Sequence, residues 1–468
     1  MHLYKRVIVL VFLCFSEVLF CQLRLPSFFG DNMVLQQKDK VAIWGNDEPN
    51  TSIVVIGSWG KDASTKTDNE GKWKLKIETP EAGGPYFLTI TGTKKIQFKN
   101  VLIGEVWFCS GQSNMNMPVR GYSNQPIQNS NEEILNSTNS SIRLFNVERN
   151  ASLTPLTDVN GYWAVSKPSE TRNFSAVAYF FAKKMNAVLD VPIGIIHSSW
   201  GGSKIQAWMD EETVSQFDFL TIPDHIPEEI KKKRQSPTLV FNGMIAPIIG
   251  YTMKGVLWYQ GESNRSKPKE YKKMFPAMIN SWRQNWSQGD FPFYFVQIAP
   301  YEYRKKTNAA FLREAQMHTM LEVPNTGMVV TLDIGDCNSV HPKEKKAIGD
   351  RLAYWALSKD YSISGISYSG PVYEKMENTE DAKIKLFFDY AKYGLYAFDR
   401  QLTGFEVAGA NKVFYPAEAI INEDKTVSVW SDAVEKPVAV RYAFGNCITG
   451  TLFNTAGLPA SSFRTDDW

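Results

Sequence analysis

The chain has 468 residues, 43% of them hydrophobic and 21% charged, with a formal net charge of +2. That length fits roughly two to four domains, each with a core of its own. The composition excludes a disordered or fibrous chain, and the near-neutral balance gives no basis for nucleic-acid binding.

The first residues read "MHLYKRVIVLVFLCFSEVLFCQ". Lys5 and Arg6 form a basic start and Val7 to Phe20 an apolar run, interrupted by Glu17. This predicts a secretory signal peptide over 1–21, too short for a stable membrane anchor, and hence a periplasmic or secreted protein. Lipidation of Cys21 is the alternative, disfavoured by the bulk of Phe20. No later stretch is long and apolar enough to span a bilayer.

From 22 to 100 the pattern has period two. In "WKLKIET", Trp73, Leu75 and Ile77 fall on one face and Lys74, Lys76 and Glu78 on the other. Short strands of this kind, separated by "DNEG" (68–71) and "EAGGP" (81–85), predict an N-terminal β-sandwich.

Over 101–365 the rhythm becomes strand then helix. Strands are predicted at "LIGEVWFC", 191–199, 254–260, 291–300 and 327–336. Helices are predicted at 175–190 with Ser175 as N-cap, 269–286 with a kink at Pro276, 308–322 and 341–360. Such alternation predicts an α/β doubly wound parallel sheet with helices on both faces, and a ligand site at the carboxyl ends of its strands. Residues 209–236 read as an insertion that could form a lid, and "EEIKKKRQ" (228–235) as a solvated helix face. From 366 to 468 the helical signal stops and a second β-rich domain is predicted.

Four polar or glycine-rich turns follow predicted strands: 110–114, 198–203, 260–264 and 333–341. On one sheet they would share one rim. Ser113 in the first could be a nucleophile, which needs a base. Beyond residue 21 the histidines are His197, His225, His318 and His341. His197 falls within a strand, His318 within a helix and His225 in the insertion. His341 precedes Pro342 at a helix start, which predicts an N-cap placement that would keep the imidazole neutral. Asp333, Asp336, Asn338 or a main-chain carbonyl could orient it. Oxyanion donors are available in the Ser113 amide, in Gly201 and Gly202, and in the side-chain amide of Gln260 or Asn264. Each also has a plain structural reading: the glycines as a tight turn, the aspartates as turn residues. Three cysteines remain beyond residue 21: Cys109 reads as a small buried hydrophobe, while Cys337 and Cys447 lie in polar segments and could pair. No Cys/His spacing suggests a metal.

Five blocks carry a family resemblance: "GQSNM" (111–115), "SSWGGSKIQAW" (198–208), "NGMIAPII" (242–249), "WYQGESN" (258–264) and "HPKEKKAIGDRLA" (341–353). The chain resembles the sialate O-acetylesterases of the SGNH superfamily of serine esterases. The resemblance implies a flavodoxin-like catalytic domain, no metal or cofactor, and hydrolysis of acetyl esters on sialic acid. It makes Ser113 the nucleophile, His341 the base, and Ser113, Gly201, Gly202 and Gln260 the oxyanion hole, with Gln260 preferred over Asn264. Gln112, Asn114, Glu262 and Asn264 become substrate contacts, and Arg313 a cation for an acidic substrate. Asn338 stands where many members carry an aspartate three residues before the histidine. The site is thus either a Ser–His dyad, toward which the resemblance leans, or a triad completed by Asp336. An acetylxylan or broad carbohydrate esterase is the alternative activity. A noncatalytic glycan-binding protein is a further one, against which the intact Ser113 and His341 speak. The sequence carries no signal of oligomeric state.

Overall fold

The computed structural model describes residues 22–303 and 307–468. The expected leader, with Cys21, lies outside the described residues. The central strand β1 runs over Lys95–Gly111. Its sequence explains its two halves. "KIQFKN" alternates exposed and half-buried, whereas "VLIGEVWFCSG" is buried on both faces, the near-continuous apolar pattern of a strand covered on each side. Further strands follow: β2 Asn139–Asn146, β3 Trp163–Ser166, β4 Ile193–Ser199, β5 Gly255–Tyr259, β6 Phe293–Val296 and β7 Thr326–Val329.

In space they lie in the order β7-β6-β5-β1-β4-β2-β3. All neighbours are parallel except β2 and β3. Without the β2–β3 edge, the remaining five run 2-1-3-4-5 when renumbered along the chain, with the order reversing at β1. The edge pair was not predicted: "SIRLFN" and "WAVS" are short and set among Asn and Ser, which mask the pattern. The register aligns the strand ends. Ser199 and Tyr259 both pair with Gly111, Trp258 with Phe295, and Val296 with Val329. The turns that follow therefore emerge at one level.

Helices α1 Ala176–Leu189, α2 Pro268–Trp286, α3 Ala310–Glu322 and α4 Lys345–Lys359 cover the sheet. Ser175 caps α1 as expected, accepting from Ala178 N–H at 3.2 Å, and Pro276 lies inside α2. Two cores divide by strand parity. Trp107, Cys109, Ile195, Leu257 and Tyr259 pack with α1 and α4, while Phe108, Ile196, Val256 and Trp258 pack with α2 and α3. Burying each such side chain stabilises the fold by about 1.5–3 kcal/mol.

Part of the N-terminal region joins this sheet without a break, because β1 also pairs with Gly83–Thr91 and Val34–Gln36, while Lys40–Asn46 and Lys72–Glu78 form a separate antiparallel pair. Lys72–Glu78 shows the expected alternation, with Trp73, Leu75 and Ile77 buried. Beyond residue 370, two four-stranded antiparallel sheets and a two-stranded one form the C-terminal region. Cys337 and Cys447 form a disulfide that joins this region to the loop after β7, and Cys109 is a buried free thiol. Among the described residues no helix is long and apolar enough to cross a membrane, and no His, Cys, Asp or Glu group could hold a metal.

Candidate active site

Ser113 begins a short helical turn, Ser113–Asn116, directly after β1. The chain can turn there because Gly111 adopts φ +141°, and a Cβ at that position would come within 2.2 Å of the Tyr259 carbonyl oxygen. Gln112 N–H donates to Tyr259 O (2.9 Å) and Trp200 N–H to Gly111 O (3.0 Å), so both neighbouring strands hold the turn. Gly201 lies against Ser113: a Cβ there would stand 3.3 Å from Ser113 Cβ. Neither the Ser113 nor the Gly201 amide donates to a protein acceptor among the described residues. Two such N–H groups beside a serine hydroxyl can receive a developing oxyanion.

The third donor differs from expectation. Gln260 Nε2 is committed to Asn264 Oδ1 (2.8 Å), Gln112 Oε1 (3.2 Å) and Ser203 O (3.2 Å). Asn264 Oδ1 also accepts from Ile205 N–H (3.0 Å), which fixes the orientation of its amide. Asn264 Nδ2 donates only to Gln206 Oε1 (3.3 Å), leaving one hydrogen free. The available amide in this block is Asn264, and the preference for Gln260 is corrected.

His341 sits in the loop between β7 and α4. It is not the N-cap: Glu344 holds that position, so the helix dipole is not the cause of its neutrality. Burial, and then the nearby Lys345 cation, push its pKa down to about 4. Its Nδ1 bonds Gln125 Oε1 at 2.5 Å, and its Nε2 is buried without a partner. Because an amide oxygen only accepts, Nδ1 carries the hydrogen and Nε2 is the free base.

The two aspartates do not orient the ring. Asp336 closes its own turn, accepting from Asn338 N–H at 2.8 Å, and Asp333 pairs with Arg351 at 2.8 and 2.5 Å. Gln125 does so instead. Nothing in the sequence of the 118–129 loop pointed to it, since a lone glutamine 216 residues from its histidine carries no local signature. Tyr122 lies between the two turns, its hydroxyl donating to Ser113 O (3.2 Å) and its ring 5.4 Å from that of His341.

A buried polar network supports both turns from below. Asn114 Nδ2 donates to Val340 O (3.0 Å) and Glu262 Oε1 (2.6 Å), while Lys345 Nζ donates to Asn114 Oδ1 (2.5 Å). Burial pushes Lys345 down to about 7, opposed by Glu262, and burial raises the Glu262 carboxyl above its ordinary range. Gln112, Asn114 and Glu262 are thus almost wholly buried and hold turns in place, where substrate contact was expected. Arg313 is corrected too. It is fully buried, and its guanidinium donates to Ser462 Oγ (3.0 Å), Ala443 O (3.2 Å) and Gly445 O, all in the C-terminal region.

The other histidines lie apart. His197 is a core residue between Asn146 and Ser199, both at 2.6 Å. His225 is exposed beside Asp224, and His318 pairs with Glu322 on α3. A cleft of about 620 Å³ lined by Arg24, Trp44, Asp158 and Pro247 includes none of the residues named for chemistry.

A family model described as "Carbohydrate esterase, sialic acid-specific acetylesterase" matches residues 103–358. The chain is 31% identical over 398 residues to a sialate O-acetylesterase of Homo sapiens, covering 76% of this chain and 74% of that one. A sialate O-acetylesterase of Mus musculus is 31% identical over 421 residues, covering 76% of each. The crystal structure of a carbohydrate acetylesterase from Xanthomonas citri superposes with a TM-score of 0.88 at 36% identity, covering 95% of this chain and all of that one. With a serine, a neutral histidine and unpaired amide donors at one sheet rim, and with the family match spanning β1 to α4, the chain belongs to the sialic acid-specific acetylesterase family of carbohydrate esterases.

Proposed function

We propose that this carbohydrate O-acetylesterase removes acetyl groups from sialic acid through a Ser113–His341 dyad oriented by Gln125. Ser113 Oγ attacks the acetyl carbonyl while His341 Nε2 accepts its proton. The amides of Ser113, Gly201 and Asn264 take the oxyanion. His341 returns the proton to the departing sugar hydroxyl, leaving acetyl-Ser113. It then deprotonates a water, whose attack releases acetate. The observation that carries this reading is His341: its Nδ1 is occupied by Gln125, and its Nε2 is unpartnered in a loop bonded to the nucleophile's own turn.

The reading takes the parallel sheet as a flavodoxin-like, doubly wound SGNH domain over 101–365, flanked by β-rich domains at 22–100 and 366–468. A leader over 1–21 would export the chain to the periplasm or the exterior.

Acetate release from O-acetylated N-acetylneuraminate and from acetylated xylo-oligosaccharide tests the reading, using wild type and Ser113→Ala. Faster release from the sialate, lost in the variant, is expected. Faster release from the xylo-oligosaccharide would assign an acetylxylan or broad esterase. Glycan binding with no release would assign a binding protein.

A further inference from the structure

The basic run at 228–235 was expected to be a solvated face, and Ile230–Lys233 does form a short exposed helix with three lysines. The residue after it behaves differently. Arg234 turns back onto the glycine turn: a Cβ at Gly202 would lie 2.9 Å from its Cζ and 3.0 Å from its Nη2. The backbone secures this placement, since Lys204 N–H donates to Arg234 O (3.2 Å) and Gln235 Nε2 to Gly202 O (3.1 Å). The guanidinium therefore rests one residue from Gly201, which itself lies against Ser113.

Among the described residues, Arg234 has no carboxylate partner and its side chain makes no hydrogen bond, with Nε buried and unsatisfied. A desolvated donor without an acceptor is costly, and the planar fork of arginine matches a carboxylate. The neighbouring Lys204 carries the same sign. Half-buried, it is held below the usual lysine range by burial and then by Lys267, opposed by Glu270, and Lys267 already pairs with Glu270 at 2.9 Å.

We propose that Arg234 is a specificity-determining residue that binds the carboxylate of an acidic acetylated sugar while its acetyl group lies at Ser113. A neutral pentose ester would leave this cation without a partner. The inference rests on the sialate reading above and assigns that substrate's charge to one side chain from the inserted segment.

The test compares kcat/KM, by acetate release, for O-acetylated N-acetylneuraminate and for its carboxyl methyl ester, which deletes only the charge. The wild type is expected to prefer the acid by at least about tenfold, Arg234→Gln to bring the ratio near one, and Arg234→Lys to retain part of the preference. Arg234→Lys keeps the cation and guards against misfolding. Wild-type activity on the sialate with a ratio near one, or a preference that persists in Arg234→Gln, overturns this inference and leaves the sialate reading standing. No release from either sialate, with release from acetylated xylo-oligosaccharide, overturns both.

Discussion

The Ser113 turn and the His341 loop reach the same rim by different means. Ser113 follows a strand buried on both faces and paired on both sides, and its turn is closed by main-chain bonds to Tyr259 and Trp200. His341 lies in an irregular segment after a four-residue strand. That segment is held by side chains and a cross-link: Asn114 on Val340, Gln125 on His341, Arg351 on Asp333, and Cys337 bonded to Cys447. Ser113 is positioned by the sheet, His341 by distant residues. His341 should therefore be the easier of the two to displace without unfolding the protein.

Removing either reacting group sets the upper limit. Ser113→Ala and His341→Ala should each lower kcat by on the order of 10⁴-fold or more with the fold intact, read by acetate release and circular dichroism. Next comes the oxyanion. Asn264→Ala should cost about 10²- to 10³-fold in kcat, as loss of one such donor does. A smaller loss there, with Gln260→Ala costing more, would return the role to Gln260.

The cross-link separates the two supports. Cys337 and Cys447 are 110 residues apart, and removing the bond should destabilise by about 2–4 kcal/mol. Thermal melts of Cys447→Ser should show this, and hydrogen exchange should rise around 333–344 more than around 111–116. Equal changes in both would break the contrast.

The smallest effects concern the orientation of the base. Gln125→Ala should lower kcat roughly 10- to 100-fold, while Asp336→Asn should change it little, because Asp336 serves its own turn. The pH profile sharpens this point. In the proposed role His341 must be neutral, so kcat/KM should fall as pH drops through its pKa of about 4. Gln125→Glu places a carboxylate beside Nδ1, favours imidazolium, and should move that acid limb upward. An unmoved limb would place the working orienting group elsewhere.

Much of the scaffold was legible in local patterning. The strands ending at Gly111, Ser199 and Tyr259 are apolar runs closed by glycine or small polar residues, and α1 announces itself by Ser175. The β2–β3 edge was hidden, because short strands rich in Asn and Ser look like loops. At the site, the positions of Ser113, Gly201 and His341 could be anticipated from turns that follow strands. The roles of Gln125, Asn114 and Arg313 could not, nor could the choice between the Gln260 and Asn264 amides. A side-chain amide or guanidinium has no preferred partner until the chain is folded, and the partners of these three side chains lie 130 to 231 residues away.

The sequence by itself determined the alternation of strand and helix and the residue that begins each functional turn, because these depend on periodicity and backbone freedom within a few residues. Only the tertiary structure decided which polar groups are consumed in holding the turns and which remain free. That choice is made by desolvation, which depends on what the folded chain brings alongside each group.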